Sequence, residues 1–262
     1  MGDELELVAV FVASSDNTRD VFERVFPAFR KQWPDCPYHV YAGFNRPSVD
    51  PVGFTPVYAP VSGWGQEVRT QIAQVPAEHI LLLLDDFVVL ERVDTQWVQD
   101  LVETALSRDL AYLGFRQLRR PALVRLLHRC VRRGGGIEAV PERYPYYSSL
   151  QVALWKKAHL LSCLERETNI WKFERVRPEA VTHHVIYGDG PVRYRHIVER
   201  GRWLPIAQKA LRKAGVSVDL GKRAAWTREY ELRHISALLR FEMIGYSGMR
   251  FRQARAASRR RA

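Results

Sequence analysis

The 262-residue sequence has no apolar run of membrane-spanning length. Runs such as residues 7–13, 80–84 and 87–90 fall far short of the roughly 20 residues that cross a bilayer, which argues against an integral membrane helix. Cysteine is scarce: Cys36, Cys130 and Cys163 are widely spaced and form no Cys-x-x-Cys pair, so neither a disulfide framework nor a zinc knuckle is indicated. Four catalytic signatures are also missing. There is no Gly-x-Ser-x-Gly elbow, no Gly-x-x-x-x-Gly-Lys-Ser/Thr loop, no Gly-x-Gly-x-x-Gly fingerprint and no His-Glu-x-x-His pair. The first residues, Met1-Gly2-Asp3-Glu4-Leu5-Glu6, are acidic where a signal peptide would be basic. The expected compartment is therefore a reducing cytoplasm.

What is present is enough for a sizeable core. Hydrophobic residues make up 47% of the chain and aromatics 11%, which suits one globular domain with an appended element. Formal charge is unevenly placed. Residues 1–109 carry 8 Lys/Arg against 17 Asp/Glu, a balance of −9; residues 110–200 carry +9 and residues 201–262 carry +11. Such a split suits a cation in one region and an anionic partner in the other: a nucleoside diphosphate, a lipid surface or nucleic acid. Residues 116–133 hold seven arginines and no carboxylate, which also describes a solvated face or a loop.

Hydrophobic patterning predicts an open α/β sheet. A β-branched-rich strand ending at Ala13 is followed by the turn residues Ser14-Ser15-Asp16-Asn17 and a helix reaching about Trp33. Strands follow over 38–43 and 55–58, a helix over 66–75, and a continuous apolar strand over 79–84, as expected at the centre of a sheet covered on both faces. Further expectations are a helix over 95–107, strands over 111–115 and 146–154, and helices over 156–165, 203–214 and 227–243. Gly134-Gly135-Gly136 reads as a break. Open sheets of this kind bind ligands beyond the carboxyl ends of their strands, where Asp85 and Asp86 close the 79–84 strand.

Two anions a few ångströms apart repel unless a cation or proton lies between them. A divalent metal such as Mg2+ or Mn2+, completed by substrate phosphates, is the economical answer; a helix cap or solvated turn is the plainer one.

Ser14-Ser15-Asp16 after the first strand, Gly63-Trp64-Gly65 at a helix start, the strand end Leu83-Leu84-Asp85-Asp86-Phe87, residues 147–155 and Trp171-Lys172-Phe173-Glu174 together resemble a GT-A-fold glycosyltransferase. More narrowly, the chain is similar to a bacterial and phage-type group linked to surface polysaccharide synthesis. The resemblance spans roughly residues 5–205. It implies a nucleotide-sugar donor, a UDP-sugar first among them, and a divalent cation at the Asp-x-Asp position. On it, Asp86 contacts the metal, Asp85 faces ribose or a metal-bound water, and Ser14, Ser15, Asp16 and Trp64 belong to the donor site. Phe87 departs from strict Asp-x-Asp. Glu174 is the implied general base for an inverting transfer, since apolar neighbours raise a carboxylate's pKa. His183 or His184 is the implied late metal ligand, and a histidine packed in the core is the alternative. Ser15 and Asp16 equally suit helix capping, and Glu174 equally suits an ion pair with Arg175 or Arg177.

The implied organisation is a domain over 1–205, with a nucleotide-sugar half over 1–115 and an acceptor half over 116–205, then a basic helical extension over 206–262. Arginines interleaved with apolar residues over 223–240 suit an amphipathic helix on an anionic membrane, in keeping with a glycan or lipid-linked acceptor. The same charge suits nucleic acid. It leaves open a DNA glycosyltransferase acting on a hydroxymethylated base, or a non-catalytic basic nucleic-acid-binding module.

Overall fold

The computed structural model describes residues 6–47, 52–115, 136–141, 144, 146–166, 169–178, 180–186, 190–217 and 219–230. The basic run at 116–133, Gly134 and Gly135, most of the helix expected over 227–243 and the arginine-rich 250–262 lie outside the described residues.

The chain opens with β1 (Glu6–Ala13), α1 (Arg19–Gln32), β2 (Val40–Phe44), β3 (Thr55–Tyr58), α2 (Trp64–Gln74) and β4 (Ala77–Leu84). It continues through β5 (Phe87–Val89), α3 (Thr95–Ser107), β6 (Tyr112–Gly114), β7 (Ile137–Ala139), β8 (Ala153–Lys156), α4 (Lys157–Arg166) and α5 (Ile170–Phe173). The last described elements are β9 (His184–Ile186), β10 (Tyr194–His196), β11 (Val198–Glu199), β12 (Arg202–Trp203) and α6 (Ala207–Lys213).

Eight strands form one sheet in the order β3-β2-β1-β4-β8-β6-β9-β7. The β3-β2-β1-β4 half is parallel throughout, and β8 enters antiparallel to both β4 and β6. Alternation in β1 explains the layering. Val8, Val10 and Val12 face a core shared with Phe22, Phe26 and Phe29 of α1 and Val98, Leu101 and Val102 of α3. Ala9, Phe11 and Ala13 face the opposite core, with Val68 and Ile72 of α2 and Leu160, Cys163 and Leu164 of α4. The apolar β4 is split the same way, Leu81 and Leu83 to one side and Ile80 and Leu82 to the other. Each such large side chain contributes about 1.5–3 kcal/mol on burial. This is the α/β class expected, an open and mostly parallel sheet flanked by helices.

Three boundaries differ from expectation for identifiable reasons. The strand expected over 146–154 forms only at Ala153–Lys156, because the residues before it bond to another segment: Ser148 Oγ donates to Val176 O at 2.7 Å and Tyr147 Oη to Val181 O at 3.0 Å. Trp203 lies in β12 and not in a helix, since Pro205 disfavours helical backbone at the residue before it. The short β5 and β10 form a separate antiparallel ribbon, in which Phe87 stacks on Tyr194 at 4.5 Å. The residue that departs from Asp-x-Asp is thus a core residue.

Candidate functional site

Strand order locates the site before any side chain is considered. From β1 the chain steps to β2 and β3 on one side, then crosses to β4 on the other, so a crevice opens beyond the carboxyl ends of β1 and β4. The register pairs Ala13 with Leu84, which brings the next residues, Ser14 and Asp85, together. Ser14 Oγ donates to Asp85 Oδ2 at 2.7 Å, and the Asp85 backbone N–H donates to Ala13 O at 3.2 Å.

A cavity of about 460 Å³ occupies this crevice. Its walls are the loop after β1 (Ser14, Ser15, Asn17, Thr18), the start of α2 (Gly63, Trp64, Glu67, Val68), the end of β4 (Leu84, Asp85, Asp86), and Ile170 and Val198 from later segments. Of the residues singled out in the sequence, Ser14, Ser15, Trp64, Asp85 and Asp86 are brought together here. Gly63 has φ 118°, a backbone conformation that favours glycine, and turns the chain into α2. Trp64 packs edge-on against Phe173 at 5.6 Å.

Asp16 stands just behind this wall. Its carboxylate accepts from Arg19 Nη2 at 2.7 Å and the Asn45 backbone N–H at 3.1 Å, while its own N–H donates to Asn45 Oδ1 at 2.9 Å. Asn45 then donates to Glu67 Oε2 at 2.9 Å, and the N–H groups of Ser62 and Gly63 donate to Glu67 Oε1. Burial works to raise the Glu67 pKa, but these hydrogen bonds carry it below the ordinary value. Asn45 and Glu67 carry no sequence signal of their own; only the fold joins them to the loop after β1.

The electrostatics of Asp85 and Asp86 are unlike those of the surface carboxylates. Burial raises Asp85 to about 6, against hydrogen bonds from Thr18 and Ser14 that favour its anion. Burial and then the neighbouring Asp85 charge push Asp86 well above the ordinary value, opposed by the Val198 backbone N–H. Among the described residues neither forms an ion pair, and the described cavity lining holds three carboxylates and no lysine or arginine. A cavity walled by carboxylates repels an anionic ligand unless a cation or a proton offsets their charge. Among the described residues no group of three or more His, Cys, Asp or Glu side chains is arranged around a metal. The fit is to a hard cation held by one or two carboxylates, with ligand phosphate and water oxygens supplying the rest of its shell.

The two histidines are placed elsewhere. His183 is fully buried, with Tyr112 and Tyr147 stacked on it at 4.5 and 4.6 Å. Its Nδ1 pairs with Tyr147 O at 2.9 Å and its Nε2 with His159 Nε2 at 2.8 Å. With both ring nitrogens engaged, it is a packed core histidine and not part of the cavity lining. His184 points to the other side of β9 and does not line the cavity either; burial, then the Arg108 charge, lowers its pKa.

Glu174 caps α5, the short helix whose first residue, Ile170, lines the cavity. Its Oε1 accepts from the Leu150 N–H at 3.1 Å and Ser149 Oγ at 3.4 Å. Phe173 is buried beside it, whereas Trp171 is 63% exposed. Glu174 is therefore held by the 149–150 segment and does not line the cavity. An added Cβ at Gly190 would meet the Phe115 carbonyl oxygen at 1.8 Å, so the backbone at Gly190 runs hard against the residue that follows β6.

No protein-family model matches the chain, and no curated protein matches it. Among solved structures the fold is similar to residues 1–349 of S. aureus TarS in complex with UDP-GlcNAc, at 13% identity over 72% of this chain and 57% of that one, TM-score 0.42. It is also similar to the 2-C-methyl-D-erythritol 4-phosphate cytidylyltransferase of Thermus thermophilus, at 12% identity over 80% and 100%, TM-score 0.47. The chain spans less than two thirds of the TarS 1–349 structures it matches. At these identities the likeness is one of fold alone.

Proposed function

We propose that the chain is a glycosyltransferase that moves a sugar from a nucleotide-sugar donor, a UDP-sugar, to a hydroxyl acceptor. The observation that carries the reading is the acid-walled cavity at the switch between β1 and β4, where Asp85 and Asp86 meet the loop after β1 and the start of α2. The nucleoside lies against Ser14, Ser15 and Trp64, with Asp16 and Asn45 fixing the loop. Asp86, supported by Asp85, holds Mn2+ or Mg2+, which when bound neutralises the donor diphosphate as it departs.

Glu174 is the base. The acceptor oxygen attacks the anomeric carbon as Glu174 takes its proton, the bond to the diphosphate breaks with its electron pair leaving on the diphosphate, and configuration inverts. The acceptor is a glycan or lipid-linked saccharide, presented at the inner face of an anionic membrane in the cytoplasm. A second reading is favoured by the +11 balance of residues 201–262, which suits nucleic acid as the anionic partner and a hydroxymethylated base as acceptor.

A thermal-shift panel of nucleoside diphosphates and sugar nucleotides, with and without Mn2+ or Mg2+, tests the proposal. The expected result is a metal-dependent shift with one nucleotide that Asp86→Ala abolishes, and transfer activity lost in Glu174→Ala. Transfer retained in both variants removes the chemical basis. Strong, salt-sensitive DNA binding that is lost on deletion of residues 244–262 favours the nucleic-acid acceptor.

A further inference from the structure

After α6 the chain returns across the molecule to the outer wall of the cavity. There Arg223 Nε donates to Asp20 Oδ2 at 2.9 Å, and its Nη2 reaches both Asp20 Oδ1 and the Asn17 carbonyl, the latter at 2.6 Å. Its Nη1 donates to the Gly201 carbonyl at 2.9 Å, and the side chain is 16% exposed. A bidentate, charge-assisted pair of this kind fixes orientation as well as distance.

What it holds is the turn that builds the cavity. Asn17 and Thr18 line the cavity, Asp20 lies in the first turn of α1, and the hydroxyls of Thr18 and Ser14 bond Asp85. Arg223 is itself braced. Trp203 N–H donates to Ala224 O at 2.9 Å, Trp226 N–H to Trp203 O at 2.8 Å, and Arg24 Nε to Asp219 O at 2.7 Å. The Trp226 ring carries Tyr230 stacked at 3.9 Å and the Arg202 guanidinium at 4.8 Å. With its indole Nε1–H donating to Glu199 O at 2.8 Å as well, Trp226 latches the strap.

We propose that Arg223 is a positioning residue for the cavity: by holding Asn17 and Asp20 it keeps the 14–18 turn in the shape that receives a nucleoside diphosphate. The inference rests on the donor-site reading above. Ordering a loop before the ligand arrives removes the cost of ordering it on binding, which is where the affinity comes from. Lysine, with one donor group and no planar fork, replaces only part of this.

The test compares full-length Arg223→Gln, Arg223→Lys and Trp226→Ala with wild type. Amide hydrogen exchange without ligand reports the turn; calorimetry with UDP and Mn2+ reports its consequence. In Arg223→Gln, exchange over residues 14–20 rises while β4 keeps its protection, and UDP affinity falls about tenfold, as expected for a lost charged hydrogen bond. Arg223→Lys recovers part of both, and carries the comparison should Arg223→Gln not fold. Trp226→Ala cuts the latch that braces Arg223 but leaves the Asp20 pair, so exchange over 14–20 rises and UDP affinity falls, each by less than in Arg223→Gln. Unchanged exchange over 14–20 in Arg223→Gln, or raised exchange there with unchanged UDP affinity, overturns the proposal. If wild type binds none of UDP, ADP, GDP and CDP, the donor-site reading fails, while the exchange result still decides whether Arg223 holds the turn.

Discussion

Ser14 Oγ lies 2.7 Å from Asp85 Oδ2, across the ends of two adjacent parallel strands whose last paired residues are Ala13 and Leu84. The contact joins the loop after β1 to the acidic end of β4, and it satisfies a carboxylate that the fold has largely removed from water. Replacing Ser14 by Ala leaves Asp85 with one fewer donor. The expected cost is about 1–3 kcal/mol at neutral pH, read as a fall in the urea midpoint with an unchanged slope.

Asp86 carries the opposite sign. Burial raises Asp85 to about 6, and burial, then the Asp85 charge, raises Asp86 well above the ordinary value, so the folded chain binds protons that the unfolded chain has released. Stability of the metal-free protein therefore falls as pH rises from the unfolded carboxyl value through about 6. Asp86→Asn removes one of the two repelling charges. Its Tm is expected to exceed that of wild type at pH 8 and to match it near pH 4, where both aspartates are protonated. A variant that is less stable than wild type at pH 8 contradicts the repulsion.

His183 titrates against this slope. Burial lowers its pKa to about 3, with the Tyr147 carbonyl acting the other way and the His159 ring adding to the fall. Between its unfolded value of 6.5 and 3 the unfolded chain takes up a proton that the folded chain refuses, so stability is lost as pH falls through that window. His183→Gln is expected to be less stable at pH 7 but to lose less on acidification, measured by urea unfolding at pH 7, 5 and 4.

Gly190 makes a close backbone approach that leaves no room for a side chain. An added Cβ would overlap the Phe115 carbonyl, a backbone atom that cannot rotate away. Gly190→Ala is expected to destabilise by about 1–3 kcal/mol or more. Gly136→Ala, where a Cβ meets nothing within 4 Å, serves as the neutral control in the same denaturation series.

The long elements were legible in the sequence because their patterns outlast noise: β1, α1, α2, β4 and α3 lie within a few residues of expectation. So was the meeting of Ser14, Asp85 and Trp64 at one end of the sheet, since strand ends and helix starts mark it. The two- and three-residue strands β5, β7, β10, β11 and β12 were not, because periodicity needs more residues than they have. Asn45, Glu67 and Arg223 were invisible for a different reason. Each is an ordinary polar residue until the fold sets it beside residues far away in the chain. The adjacent histidines had the look of a ligand pair, yet the partners that occupy His183, Tyr147 and His159, are separated from it by 36 and 24 positions.

Arg223 and Asp20 are 203 positions apart, so the wall that begins at the first turn is finished by nearly the last described segment. Contacts closing loops of this size carry the largest entropic cost and form late. During synthesis the amino-terminal strands and helices have their partners early, while the Asn17–Asp20 turn waits for its clamp. A cavity wall assembled in this order does not reach its final shape until residue 223 has been made and docked, which ties the shape of the first turn to a contact the amino-terminal half cannot make by itself.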